Sequence, residues 1–189
     1  MRRGVLIAGL VLVAAGVEAP AAMAKGCASA GDTVIKSSVA RLYDGVGDRL
    51  YGCWLPTGRR LRLDVHAERW RLANVQGRYA AVVFDGDGSH PPVVVWARLG
   101  ENPSRRIAHR MPRGLDPPAE QLYVSKHGAI AFSAPGTIGY IAPLEPGRAP
   151  RFRQLDSGAR VSPRSLWADE HAHRLRWRSG GARKSAPWR

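Results

Sequence analysis

Gln121-Leu122-Tyr123-Val124-Ser125-Lys126-His127-Gly128-Ala129-Ile130-Ala131-Phe132 is the stretch on which the fold turns. A short run anchored by Leu122 turns through Gly128 and resumes as a run that alternates inward and outward residues. Glycine suits such a turn because it reaches positive φ at no steric cost, and a two-residue period marks a strand. The same form recurs upstream in Arg71-Leu72-Ala73-Asn74-Val75-Gln76-Gly77-Arg78-Tyr79-Ala80-Ala81-Val82-Val83-Phe84. A third copy, without the glycine, is Ser165-Leu166-Trp167-Ala168-Asp169-Glu170-His171-Ala172-His173-Arg174-Leu175-Arg176-Trp177. Leu72, Leu122 and Leu166 stand 50 and 44 positions apart, close to the length of a four-stranded propeller blade.

Outward from these copies the chain keeps the same grammar. Runs at 34–43, 49–55 and 59–64 alternate apolar with polar or small residues, joined by Asp44-Gly45-Val46-Gly47-Asp48 and Pro56-Thr57-Gly58. These are hairpin signals, and three such runs predict an antiparallel meander. Further runs lie at 70–75, 78–84, 93–98, 106–110, 121–125, 129–133, 138–143, 152–155, 165–168 and 173–178. No stretch holds a helical period, and prolines within 112–118 and 143–150 would break a helix placed there. The fold class read from this pattern is all-β.

Leu122-Tyr123-Val124-Ser125-Lys126-His127-Gly128-Ala129-Ile130-Ala131-Phe132 is similar to the strand-turn-strand phrase of WD40-like and TolB-like β-propeller repeats. Leu155-Asp156-Ser157-Gly158 followed by Ser162-Pro163-Arg164-Ser165-Leu166 looks like phrases in uncharacterised secreted proteins of GC-rich bacteria. The resemblance covers residues 34–180, lacks a Gly-His or Trp-Asp signature, and implies an architecture without supplying active-site residues. It implies antiparallel meanders forming a small or incomplete β-propeller-like fold, with a β-sandwich or barrel as the alternative. Trp54, Trp96, Trp177, Phe84, Phe132 and Tyr79 are then expected in the core or between sheets.

The amino-terminal residues read as an address. Met1-Arg2-Arg3, an apolar run over 5–17 and Ala22-Met23-Ala24 have the layout of a secretory signal peptide cut before Lys25. The run is short for a membrane anchor, which asks for roughly 20 residues. Lys25-Gly26 before Cys27 is a poor lipidation context. The expected organisation is a signal peptide at 1–24, one all-β domain at 25–180 and a basic tail at 181–189. Removing the 24-residue leader from 189 residues leaves 165, room for three to four blades of 44–50 residues; closed propellers typically have four to eight.

Export sets the thiol chemistry. Cys27 and Cys53 are the two cysteines, and an even pair in an oxidising compartment reads as one disulfide. No C-x-x-C spacing favours a redox or metal pair. The mature chain keeps 27 basic and 14 acidic residues, near +13, and the positive charge is almost all arginine. Such a balance ordinarily points to nucleic acid. Export argues against that partner and for an anionic polymer of the cell envelope or another protein.

Three constellations are candidates for chemistry. Asp85-Gly86-Asp87-Gly88-Ser89-His90 offers carboxylates at alternate positions, as a calcium loop does, yet His90 and Trp96 stand where an EF-hand needs glycine and glutamate. Asp85 and Asp87 also suit a plain turn. His171 and His173, two apart, would face one side of a strand and could share a metal, but third and fourth ligands must come from far away. Arg174, Arg176 and Arg178 would line one face of a final strand, with Leu175 and Trp177 on the other. No nucleophile elbow, S-x-x-K, H-E-x-x-H or phosphate-binding loop is present, so no cofactor is implied. The expected function is an exported, non-enzymatic binding or scaffold protein whose Arg face meets an anionic partner. The rival is a secreted hydrolase with a loop-built active site, and no transmembrane segment is expected after cleavage.

Overall fold

A computed structural model describes residues 25–66, 70–84, 92–101, 105–111, 119–143 and 151–188. The leader, and the loop holding Asp85 and Asp87, lie outside the described residues. Among the described residues a four-residue helix, α1 (Lys25–Ala28), precedes fifteen strands. They are β1 (Asp32–Lys36), β2 (Ala40–Gly45), β3 (Arg49–Trp54), β4 (Arg59–His66), β5 (Trp70–Gln76), β6 (Tyr79–Phe84), β7 (Val93–Arg98) and β8 (Arg105–Arg110). The others are β9 (Gln121–Val124), β10 (Ile130–Ala134), β11 (Thr137–Ile141), β12 (Phe152–Ser157), β13 (Val161–Asp169), β14 (Arg174–Ser179) and β15 (Ala182–Pro187). Among the described residues strands pair only with their chain neighbours, all antiparallel, to give sheets β1-β2-β3-β4, β5-β6-β7-β8, β9-β10-β11-β12 and the three-stranded β13-β14-β15. The architecture is all-β, and no sheet closes into a barrel.

The repeat sets this order. Leu72, Leu122 and Leu166 lie on β5, β9 and β13, the first strand of the second, third and fourth sheets. Those first strands adjoin one another: β1 meets β5, β5 meets β9 and β9 meets β13. Asn74 Nδ2 donates to the Leu122 carbonyl at 3.2 Å, and Tyr123 Oη donates to the Leu166 carbonyl at 3.2 Å. The leucines read as anchors thus mark where one sheet is stitched to the next. On the opposite edge of the first two sheets, an Arg106 guanidinium nitrogen donates to the Leu63 carbonyl at 2.9 Å.

Burial explains why two sheets are apolar on both sides. The β6 residues Ala80, Val82 and Phe84 pack with Ala40, Leu42, Leu50 and Leu63 of the first sheet, while Tyr79, Ala81 and Val83 pack with Leu122, Val124, Ile130 and Phe132 of the third. On β10 the alternation repeats, with Ile130, Phe132 and Ala134 toward the second sheet and Ala131 toward Leu166, Leu175 and Trp177 of the fourth. Strands covered on both faces read as continuous apolar runs, and β6 and β10 are buried along their whole length. The predicted aromatic core forms: Trp96, Trp177, Phe84, Phe132 and Tyr79 are buried, and half-buried Trp54 packs against the first inter-sheet cluster. Among the described residues, no such cluster joins the fourth sheet to the first, so the succession stays open. Two glycines permit close approach. A side chain at Gly128 (φ +85°) would meet the Tyr79 ring at 2.5 Å, and one at Gly139 would meet the Phe132 ring at 2.3 Å.

Two readings of the sequence need correction. The run at 34–43 is two strands, not one, because Ser37 makes a turn: its N–H donates to the Ala40 carbonyl at 2.8 Å and its Oγ accepts from the Ala40 N–H at 3.1 Å. The supposed tail at 181–189 supplies β15, whose Ala186 is buried, followed by buried Trp188. Gly180 and Gly181 both hold positive φ, at 59° and 82°, the conformation a two-residue hairpin turn asks for.

Candidate functional site

Alternation on β14 builds the site. Leu175 and Trp177 are buried against the third sheet, while Arg174, Arg176 and Arg178 point outward, as the two-residue period requires. The fourth sheet is last in the succession, and among the described residues no other sheet covers this outer face. Its register adds residues the sequence reading did not join to it: Trp167 lies opposite Arg176, and on β15 Arg183 lies opposite Arg178 and Ser185 opposite Arg176. Together they line a groove of about 520 Å³. The signal for Arg183 and Ser185 is Gly180-Gly181, whose positive φ values make the hairpin turn into β15.

The arginines are not equivalent. Arg174 donates to Ser185 Oγ through Nη2 at 2.6 Å and Nε at 3.2 Å. An Arg176 guanidinium nitrogen pairs with Asp169 Oδ2 at 2.9 Å, and its charged plane sits 5.2 Å from the centre of the Trp167 ring, within cation–π range. For the guanidinium groups of Arg178 and Arg183, no carboxylate partner is present among the described residues. The ladder of β13 on β14 is irregular between Ser162 and Trp167. There Ser165 Oγ accepts from the Arg178 N–H at 2.8 Å and donates to the Ser162 carbonyl at 2.6 Å, substituting for ladder bonds where the bulge interrupts pairing. Trp167 beyond the bulge remains 52% exposed.

Beneath the face, one carboxylate fixes the sheet to its neighbour. Asp156 on β12 accepts from Trp177 Nε1 at 2.7 Å, from Lys184 Nζ at 2.9 and 3.0 Å, and from the Ser157 N–H at 2.9 Å. Desolvation pushes its pKa up, but hydrogen bonds from Trp177, Lys184, the Ser157 N–H and Ser179 outweigh that, and the net shift is downward. A carboxyl depressed in the folded state stabilises above its unfolded pKa, and that contribution is lost as pH falls through the folded value. Asp156→Asn is expected to cost about 1–3 kcal/mol at pH 7. It should also flatten the fall in urea midpoint that wild type shows below the ordinary carboxylate range. Parallel pH profiles for the two proteins would sink this account.

The remaining sequence candidates do not join the groove. His171 and His173 sit in the turn between β13 and β14 rather than on a strand, with His173 at φ 50° and the Ala172 N–H donating to Asp169 Oδ1 at 2.9 Å. The turn breaks the alternation on which a shared face for the two imidazoles depended. Asp85 and Asp87 lie outside the described residues, and among those described no group of three metal-ligating side chains converges. Cys27 and Cys53 are joined as a disulfide, with Cα atoms 5.8 Å apart. Both are buried with Tyr43 at the outer side of the first sheet.

Fold and site define an all-β protein of four successive antiparallel meanders, closed at one end by a disulfide-pinned segment and presenting arginines at the other. Compared with known proteins, the chain matches no family model, no curated protein and no solved structure.

Proposed function

We propose that this is an exported binding or scaffold protein that holds an anionic partner of the cell envelope on the outer face of its fourth sheet. The observation that carries the reading is the outward projection of Arg174, Arg176 and Arg178 beside Arg183, in one groove on a face that no other described sheet covers. Residues two apart on a strand are about 6.5–7 Å apart, so β14 offers a ladder of cationic groups rather than one point charge. Guanidinium forks bind carboxylate and phosphate oxygens in pairs and resist titration, which suits them to such a partner. The extracytoplasmic setting is supported by the Cys27–Cys53 disulfide and the leader-like sequence at 1–24. A hydrolase would need histidine and carboxylate side chains together, and the lining of this groove contains neither.

Changing Arg174, Arg176 and Arg178 together to serine is expected to lower binding to immobilised dextran sulfate at least tenfold at low ionic strength. Wild-type retention should itself fall as salt rises. Unchanged retention of the triple variant, with an unaltered circular dichroism spectrum, would remove the Arg face from the reading.

A further inference from the structure

Trp167 and the opposed pair Arg178 and Arg183 are best explained together. Arg178 and Arg183 face each other directly across the β14–β15 ladder, where like charges repel and destabilise. No carboxylate among the described residues relieves them, whereas Arg176 is already paired with Asp169. Trp167, one residue pair along the same face, is the only exposed aromatic among the described residues. Arg176, pinned by Asp169, lies against the indole and holds it beside the two unneutralised guanidinium groups. A ligand that satisfies this surface must bring negative charge to Arg178 and Arg183 and a flat, C–H-bearing surface to Trp167.

We infer that the groove is a subsite for an acidic polysaccharide: a pyranose ring packs on Trp167 while carboxylate groups of the chain bind between Arg178 and Arg183. The inference rests on the anionic-partner reading above and names the chemical class of that partner. The C–H edges of a sugar ring carry slight positive charge and are attracted to the negative face of an indole, and carboxylates match guanidinium forks. A simple polyanion has nothing to place on the indole. Single-stranded nucleic acid is held by successive aromatic side chains that stack successive bases, whereas this face carries one exposed ring.

The test titrates the full chain with polygalacturonate, long-chain polyphosphate and a thymidine oligonucleotide at one fixed ionic strength. Trp167→Ala is expected to weaken polygalacturonate at least tenfold and polyphosphate less than twofold, with Trp167→Tyr restoring most of the loss. The double variant Arg178→Gln, Arg183→Gln should weaken both probes at least tenfold. Equal losses for both probes in Trp167→Ala, or no loss for polygalacturonate, would overturn the polysaccharide inference while leaving the Arg face standing. Tighter, Trp167-dependent binding of the oligonucleotide would overturn it in favour of nucleic acid. Wild type that binds none of the probes would overturn the anionic-partner reading itself. Trp167 is half exposed and both arginines lie at the surface, so these variants are expected to keep the wild-type circular dichroism spectrum and unfolding midpoint.

Discussion

Trp96→Ala is expected to remove about 3–5 kcal/mol of stability, a large part of the 5–15 kcal/mol that holds a typical domain together. Trp96 is fully buried on β7 in the cluster that joins the second and third sheets, with Leu122, Ile130 and Phe132 across the interface. Removing the indole leaves a cavity between two β-sheets whose backbones are fixed by hydrogen bonds, so collapse around it is limited. The indole N–H finds no acceptor among the described residues. Trp96→Phe, which discards that buried donor while keeping an aromatic ring, should therefore cost much less than the alanine variant. Urea unfolding of the three proteins checks both statements. Equal losses for Ala and Phe would overturn the packing account.

The second large effect is expected from the disulfide. Cys27 and Cys53 are 26 positions apart, and in the chain-entropy model a loop of that size contributes about 3.5 kcal/mol by constraining the unfolded state. The double variant Cys27→Ser, Cys53→Ser should lose about 2–5 kcal/mol. Wild type should lose a comparable amount when unfolded in dithiothreitol, whereas the variant should not respond to the reductant. Both sulfurs are fully buried beneath Tyr43, so native protein should resist reduction until it opens. Identical urea midpoints with and without reductant in wild type would refute this contribution.

What the residues disclosed depended on how local the governing physics was. Strand identity was legible because Gly, Pro and Asp punctuation and the two-residue period are local. The run at 93–98 coincides with β7, and the run at 70–75 differs from β5 by one residue. The leucine repeat was legible because each leucine lies on the first strand of its sheet and enters an inter-sheet cluster, Leu72 and Leu122 between the second and third sheets and Leu166 between the third and fourth. The split at Ser37 was missed because a serine turn inside an apolar run keeps the period on both sides. β15 was missed because Ala182-Arg183-Lys184-Ser185 is polar on an exposed edge, and its anchors Ala186 and Trp188 come only at the end. Of the site, the three outward arginines followed from alternation alone. Trp167 and Arg183 did not, since they reach the groove through cross-strand register, which a bulge shifts and a linear reading does not contain.

The open succession of sheets also bears on how many there are. Each of the two middle sheets is covered by neighbours on both faces, so nothing in their stacking says where the series should stop. On the fourth sheet, β14 turns Arg174, Arg176 and Arg178 to the face where a fifth sheet would otherwise sit. Seating another apolar layer there would carry these guanidinium groups into a dry interface, where Asp169 answers only Arg176 and each unpaired group adds a desolvation cost. At the first sheet, the disulfide-pinned segment occupies the equivalent position. An apolar layer brought to this end, a second copy's included, would therefore meet charge rather than a matching apolar face.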